Sequence, residues 1–309
     1  MLIPVILAML AAIFYAATYH IDEYLISKAV KNANYRALIL VSTIIAGGIM
    51  TVIYMFVCNF DFSFDILSFL LLIFNAVVYV LALIVYYKAL NRDDPTIVAI
   101  MFQFLPVFIL FLSPLILDNQ QISLLKLIGG VIITIAAILL IYEPKHKKID
   151  KKRLATLIMM VFVSLGYAIW YIVERYINQN HDFNQTILWT NISLIIVGIF
   201  IFIFMKSFRK SFFEMFKRNG LVVVGLNIAN EILYSFAGVF STLAGTLIPV
   251  ALVFFISQGI EPFAVMLMGF LIVKLFPKSK KEKITKADII KRIITIIVCI
   301  IGLGFIEFG

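Results

Sequence analysis

Long apolar stretches separated by short polar or charged interruptions run the length of the chain, at approximately 2–26, 37–58, 66–89, 95–117, 123–142, 154–178, 186–205, 219–243, 249–273 and 287–307. One helical crossing of a bilayer core needs about 20 apolar residues. In lipid the backbone must satisfy its own amides, so unbroken runs of this length without alternation cross as helices rather than strands. The pattern predicts an all-α integral membrane protein with ten transmembrane helices.

Composition agrees. Of 309 residues, 63% are hydrophobic and 14% charged, whereas a soluble domain carries about 25% charged residues. Ten spans leave only short connections, so no separate soluble domain is expected. The apolar run at 2–19 lacks a preceding positive region and is read as a retained first span, not a leader. Cys58 and Cys299 fall in different spans, make no metal or disulfide pattern, and read as packing residues.

The net charge of +9 raises the question of nucleic-acid binding, but its distribution argues against it. The connections after spans 1, 3, 5, 7 and 9 hold 24 of the 26 Lys and Arg residues, and the even connections hold only Lys126 and Arg175. By the positive-inside bias the odd connections are cytoplasmic and both termini lie outside, as in a multi-pass protein of the bacterial cytoplasmic membrane.

The chain also repeats itself. Tyr15-Ala16-Ala17-Thr18-Tyr19 with Asp22-Glu23-Tyr24 matches Tyr167-Ala168-Ile169-Trp170-Tyr171 with Glu174-Arg175-Tyr176. Asn75 and Tyr79 match Asn230 and Tyr234. Pro95 and Pro106 match Pro249 and Pro262. The near-constant offset divides the chain into two five-helix units, 1–143 and 154–309, joined by the basic linker 144–153. Because five is odd, the second copy sits inverted in the membrane, the architecture of many secondary transporters.

The sequence resembles the ten-helix drug/metabolite transporter superfamily, specifically its EamA-type members. Tyr86-Tyr87-Lys88-Ala89-Leu90, Pro95-Thr96-Ile97-Val98-Ala99 and Pro106 carry the resemblance in the first half. Pro249-Val250-Ala251-Leu252-Val253 and Ser257-Gln258-Gly259-Ile260-Glu261-Pro262 carry it in the second, and Gly129-Gly130 and Gly302-Leu303-Gly304 resemble the family's glycine-bearing fifth helix. The chain departs from the pattern at Asp118-Asn119-Gln120-Gln121, where a Glu is usual, and in having no Trp in span 1. The resemblance implies transport and leaves the substrate open among amino acids, nucleobases, sugars, cationic drugs and other metabolites.

An ionised carboxylate at bilayer depth is costly unless paired, hydrated or protonated, so intramembrane acids are functional candidates. Glu231 lies mid-span, with Asn227 and Tyr234 on its helix face; an interhelical contact made by a protonated Glu is the structural alternative. Glu261 directly precedes Pro262, which frees a carbonyl near Gln258. Gln258 and Ser257 could serve that carbonyl or a ligand. Asn75, Tyr79 and Gln103 occupy comparable places in the first half, where Pro106 is the matching kink. Tyr15, Tyr19, Tyr167, Trp170 and Tyr171 form either ordinary packing or an aromatic wall for a planar or cationic substrate. Asp22, Glu23, Glu174, Arg175, His20 and His181 are expected near the membrane surfaces, with a gate role as the alternative for Asp22 and Glu174, which occupy equivalent places in the two repeats.

There is no H-E-x-x-H and no phosphate-binding glycine loop. The chain is therefore expected to be a transporter rather than an enzyme, with no cofactor and no metal, driven by an ion or substrate gradient. The leading expectation is a monomeric secondary transporter exporting a small metabolite, with protonation of Glu231 or Glu261 as the coupling step. A flippase for a lipid-linked substrate and a non-transporting membrane interaction partner are the alternatives.

Overall fold

The computed structural model describes residues 2–29, 35–116, 123–143, 148–248, 250–275 and 285–309. Asp118 to Gln121 and Pro249 lie outside them. The helices are α1 (Leu2–Tyr24, continued by a π-helical turn Leu25–Ala29), α2 (Tyr35–Val57), α3 (Ile66–Arg92), α4 (Pro95–Ile116) and α5 (Leu124–Ile141). They continue with α6 (Lys151–Ile177), α7 (Phe183–Phe204), α8 (Lys206–Leu247), α9 (Val250–Leu275) and α10 (Lys286–Phe308). Among the described residues, nine segments are long and apolar enough to cross a membrane, and Leu124–Leu140 is a shorter apolar helix. A two-residue antiparallel pair, Tyr142–Glu143 with Lys148–Ile149, joins α5 to α6.

Capping residues set most helix starts. Asp65, Asp94, Asp150 and Asp182 each accept a backbone N–H of the first turn of α3, α4, α6 and α7, and Thr285 and Asp288 form a reciprocal capping box on α10. One expectation is corrected: residues 206–218 are helical, not a loop. They contain no Pro or Gly, and Phe208 and Met215 are buried, so the 42-residue α8 begins directly after Met205 and only its Gly220–Gly245 part is a candidate span.

The main packing pairs are α1 with α8 and α9, α6 with α3 and α4, α2 with α7 and α8, α3 with α7, and α5 with α10. One large apolar core joins buried residues of all ten helices. Small residues set the closest approaches: a Cβ on Gly129 of α5 would lie 2.5 Å from the Gly302 carbonyl oxygen of α10.

Polar clusters close the two ends of α3, about 40 Å apart by the rise per helical residue. At its C-terminal end Arg292 pairs with Asp94 at 2.8 Å, Thr156 donates to Asp93 at 3.2 Å and Lys291 donates to the Leu140 carbonyl at 2.8 Å. At its N-terminal end His181 Nε2 lies 2.6 Å from Asp65 Oδ2 and 3.2 Å from Ser68 Oγ. His181 thus matches its surface expectation, whereas His20 turns inward to the Val265 carbonyl of α9 at 2.8 Å.

Hydrogen bonding from Ser68, through its side chain and its N–H, and then the His181 contact hold the Asp65 carboxyl down from 3.8 to about 2. A carboxyl depressed in the folded state contributes stability above its unfolded value, and that contribution is lost as pH falls through the folded value. The unfolding midpoint of Asp65→Asn is therefore expected to lie below that of the unaltered protein above about pH 4 and to converge with it near pH 2. Thermal unfolding across pH 2–7 checks this, and a pH-independent difference refutes the electrostatic account.

Candidate functional site

Two short departures from regular helix place polar groups in the interior. The π-helical segment Val41–Ala46 in α2 presents Ser42, which meets Asn227 of α8: Ser42 Oγ lies 3.3 Å from Asn227 Oδ1 and 3.1 Å from its Nδ2. Such wide turns recur at functional positions because they re-aim side chains that a regular helix would direct elsewhere. The same hydroxyl reaches the Glu231 carboxyl one turn further along α8.

The second departure is at Phe102–Gln103, where α4 breaks before Pro106. Proline cannot donate to the carbonyl four residues earlier, so Pro106 and Pro262 free the carbonyls of Phe102 and Gln258. Both find partners on another helix. Ser164 of α6 donates to Phe102 O at 3.4 Å, and Gln103 Nε2 donates to Gln258 O at 3.1 Å. Helix α9 accordingly runs through Pro262 without interruption. Gln103→Leu would leave that buried carbonyl without its donor, for which about 1–3 kcal/mol of destabilisation is expected. Chemical or thermal unfolding in detergent measures it, and an unchanged midpoint would show that another group takes over.

Asp22, which the sequence placed near a membrane surface, is buried by the structure between α1, α3 and α8. Its Oδ1 accepts from Asn230 Nδ2 at 2.9 Å and its Oδ2 from the Tyr86 hydroxyl at 3.1 Å. Glu231 lies close enough to interact electrostatically with it. Near the end of α1, Asp22 is nevertheless level with the middle of the apolar part of α8, because the two helices are offset along their length. The sequence carried a signal for this: Tyr15, Tyr19 and Asp22 recur at spacings that share one helix face.

Glu261 of α9, 2% exposed, lies beside the Tyr19 hydroxyl. Tyr19 in turn packs edge-on against Tyr86 with ring centres 5.9 Å apart, so Glu261 and Asp22 stand at the two ends of a Tyr19–Tyr86 contact. Glu174, another acid expected at a surface, accepts from Thr190 Oγ1 at 3.2 Å and lies near Trp170.

The remaining sequence candidates divide into separate groups. Asn75 donates through Nδ2 to the Trp170 carbonyl at 3.2 Å. Tyr79, Tyr167 and Trp170 form a cluster with Phe102, the closest pair being Tyr79–Trp170 at 4.2 Å. Tyr15 packs edge-on against Tyr234, which is 37% exposed, and Tyr171 lies against Phe254. The expected continuous aromatic wall is thus several smaller assemblies. Sequence reasoning missed Ser42, Tyr86 and Asn230 as site residues, although the match of Asn230 to Asn75 pointed to the last.

Ion pairs are peripheral. Among the described residues those of Arg153, His181, Lys210 and Arg292 all sit at or near helix ends, while the interior acids meet neutral donors. No three His, Cys, Asp or Glu among the described residues gather closely enough to hold a metal ion.

Apolar helices of crossing length around an interior of hydrogen-bonded acids, amides and tyrosines define a multi-pass membrane protein with a polar interior. Residues 2–142 match the model of the EamA-like transporter family, consistent with the drug/metabolite transporter superfamily to which the sequence motifs pointed. No curated protein matches the chain. Among solved structures, one described as "Crystal structure of protein" shares the fold with a TM-score of 0.54 at 11% identity, over 98% of this chain and 95% of that one.

Proposed function

We propose that this protein is a secondary transporter that exports a small water-soluble metabolite by alternating access between two inverted five-helix halves, residues 1–143 and 154–309. The observation that carries this reading is where the interior polar contacts lie. Ser42–Asn227, Asp22–Asn230, Tyr19–Glu261, Asn75–Trp170 and Gln103–Gln258 each join one half to the other. A protein held together for stability alone has no reason to line the seam between its halves with carboxylates and amides, which are expensive there. A pathway that must open and close along that seam does, and polar lining favours a water-soluble cargo over a lipid.

The packing supports the duplication. Adding five to each helix number turns α1·α8 into α6·α3, α1·α9 into α6·α4 and α2·α8 into α7·α3, and returns α5·α10 and α2·α7 to themselves. Gln103 and Gln258, separated by the repeat offset, meet each other directly. The odd connections and the linker 144–153 face the cytoplasm in this reading, and the protein works as a monomer in the bacterial inner membrane.

Glu231 and Glu261 couple export to proton entry by losing and regaining a proton as access alternates. Purified protein in proteoliposomes is expected to accelerate metabolite flux when a pH gradient is imposed and to slow when the gradient is collapsed. Flux indifferent to the gradient refutes proton coupling; no protein-dependent flux of any metabolite refutes transport.

A further inference from the structure

The interior that Asp22 shares with the seam between the halves holds buried hydrogen-bond acceptors that no donor reaches. Asp22 already takes the Asn230 amide and the Tyr86 hydroxyl, and Glu231, the next residue after Asn230, stands beside it and near Ser42. Asn230 Oδ1 is buried and has no hydrogen-bond partner. Its identity as the oxygen follows from the other end of the same amide, since the group pointing at a carboxylate must be the NH2. Asn75 Oδ1 and Gln258 Oε1 are likewise buried without a donor, and Asn75 is fixed in the same way because its amide nitrogen faces the Trp170 carbonyl.

Buried acceptors are normally satisfied, and each one left without a donor costs free energy. Three of them, set along the inter-half seam with Asp22, Glu231 and Glu261, describe a ligand that brings donors and positive charge. The surroundings select the kind of cation. The acids are too dispersed for a metal ion among the described residues. Tyr86 stands within 5.9 Å of Tyr19 and 5.6 Å of Tyr87, centre to centre, and tyrosine faces attract ammonium groups.

We infer that the transported substrate is an organic cation, a protonated amine on an aromatic or aliphatic body, whose ammonium is held between Asp22 and Glu231 with Asn230 Oδ1 as a further acceptor. An ammonium has three donors and no acceptor, the complement of what this part of the seam offers. Asp22 is thereby assigned to substrate recognition. The assignment rests on the transport reading above and names the substrate class of that site.

The test is counterflow in proteoliposomes with three probes of matched size: 2-phenylethylamine, 2-phenylethanol and phenylacetate. A parallel cationic panel contains tetramethylammonium and 1,5-diaminopentane. At least one cation is expected to exchange tenfold faster than in protein-free vesicles while the alcohol and the carboxylate stay at background, and Asp22→Asn is expected to lower that exchange at least tenfold. Because the comparison of charge classes uses the unaltered protein, it stands even if Asp22→Asn fails to fold. Exchange of phenylacetate, or of the alcohol alone, overturns the cation assignment and leaves transport intact. Exchange of no probe in any class overturns the assignment; transport itself then stands or falls on the gradient-driven flux of other metabolites.

Discussion

Glu261→Gln is expected to lower flux driven by a pH gradient at least tenfold while leaving the unfolding midpoint nearly unchanged. The amide has the size and shape of the carboxyl and can still sit beside the Tyr19 hydroxyl, so packing around this 2% exposed side chain is kept. The change removes only the capacity to take up and release a proton. A tenfold loss corresponds to about 1.4 kcal/mol, a modest figure for a group that must ionise and neutralise in every cycle. Glu231→Gln is expected to act in the same direction, with a smaller loss, because Glu231 is less enclosed and Asp22 stands close to it. If both variants keep full gradient-driven flux, neither acid couples transport. If both lose flux together with thermal stability, the acids are structural.

The second large effect concerns stability. Gly129→Ala is expected to destabilise the protein by about 1–3 kcal/mol, the usual range for overpacking a close-packed seam, whereas Gly130→Ala next to it is expected to be close to neutral or stabilising. A Cβ at Gly129 would lie 2.5 Å from Gly302 O and 2.9 Å from Ile306 N, both backbone atoms of α10, so α5 and α10 would have to move apart. At Gly130 the nearest neighbour is a Val107 methyl at 3.6 Å, an ordinary contact, and alanine is the better helix former. Thermal unfolding of the two variants side by side checks the pair. Equal midpoints would mean that α5 does not pack as tightly on α10 as the structure shows. Close approach through glycine is a common way for helices to associate in lipid, where apolar burial supplies no drive between them.

The pattern of apolar runs located the helices to within a few residues, because lipid imposes length and apolarity on any crossing segment. It failed at 206–218, where charge marks a membrane boundary but not the end of a helix. The caps that start the helices, such as Asp65 and Thr285, came from the structure and not from the pattern of apolar runs. Glu231 and Glu261 stood out because acids are costly at mid-span, and the carbonyl freed by Pro262 followed from proline's missing N–H alone.

The partner of that carbonyl did not follow. Gln103 meets Gln258, Asn230 meets Asp22 and Ser42 meets Asn227 across separations of 155, 208 and 185 residues. A residue's spacing in the sequence determines its helix face but not which helix lies opposite, nor how far one helix slides past another. For that reason Asp22, near the end of its own span, could be read as a surface acid until α8 was seen to place Asn230 beside it. The sequence by itself determined that this chain crosses a membrane many times and buries acids in doing so. Only the tertiary structure decided which acids share a neighbourhood, because helix register and neighbour choice are set by packing between segments far apart in the chain.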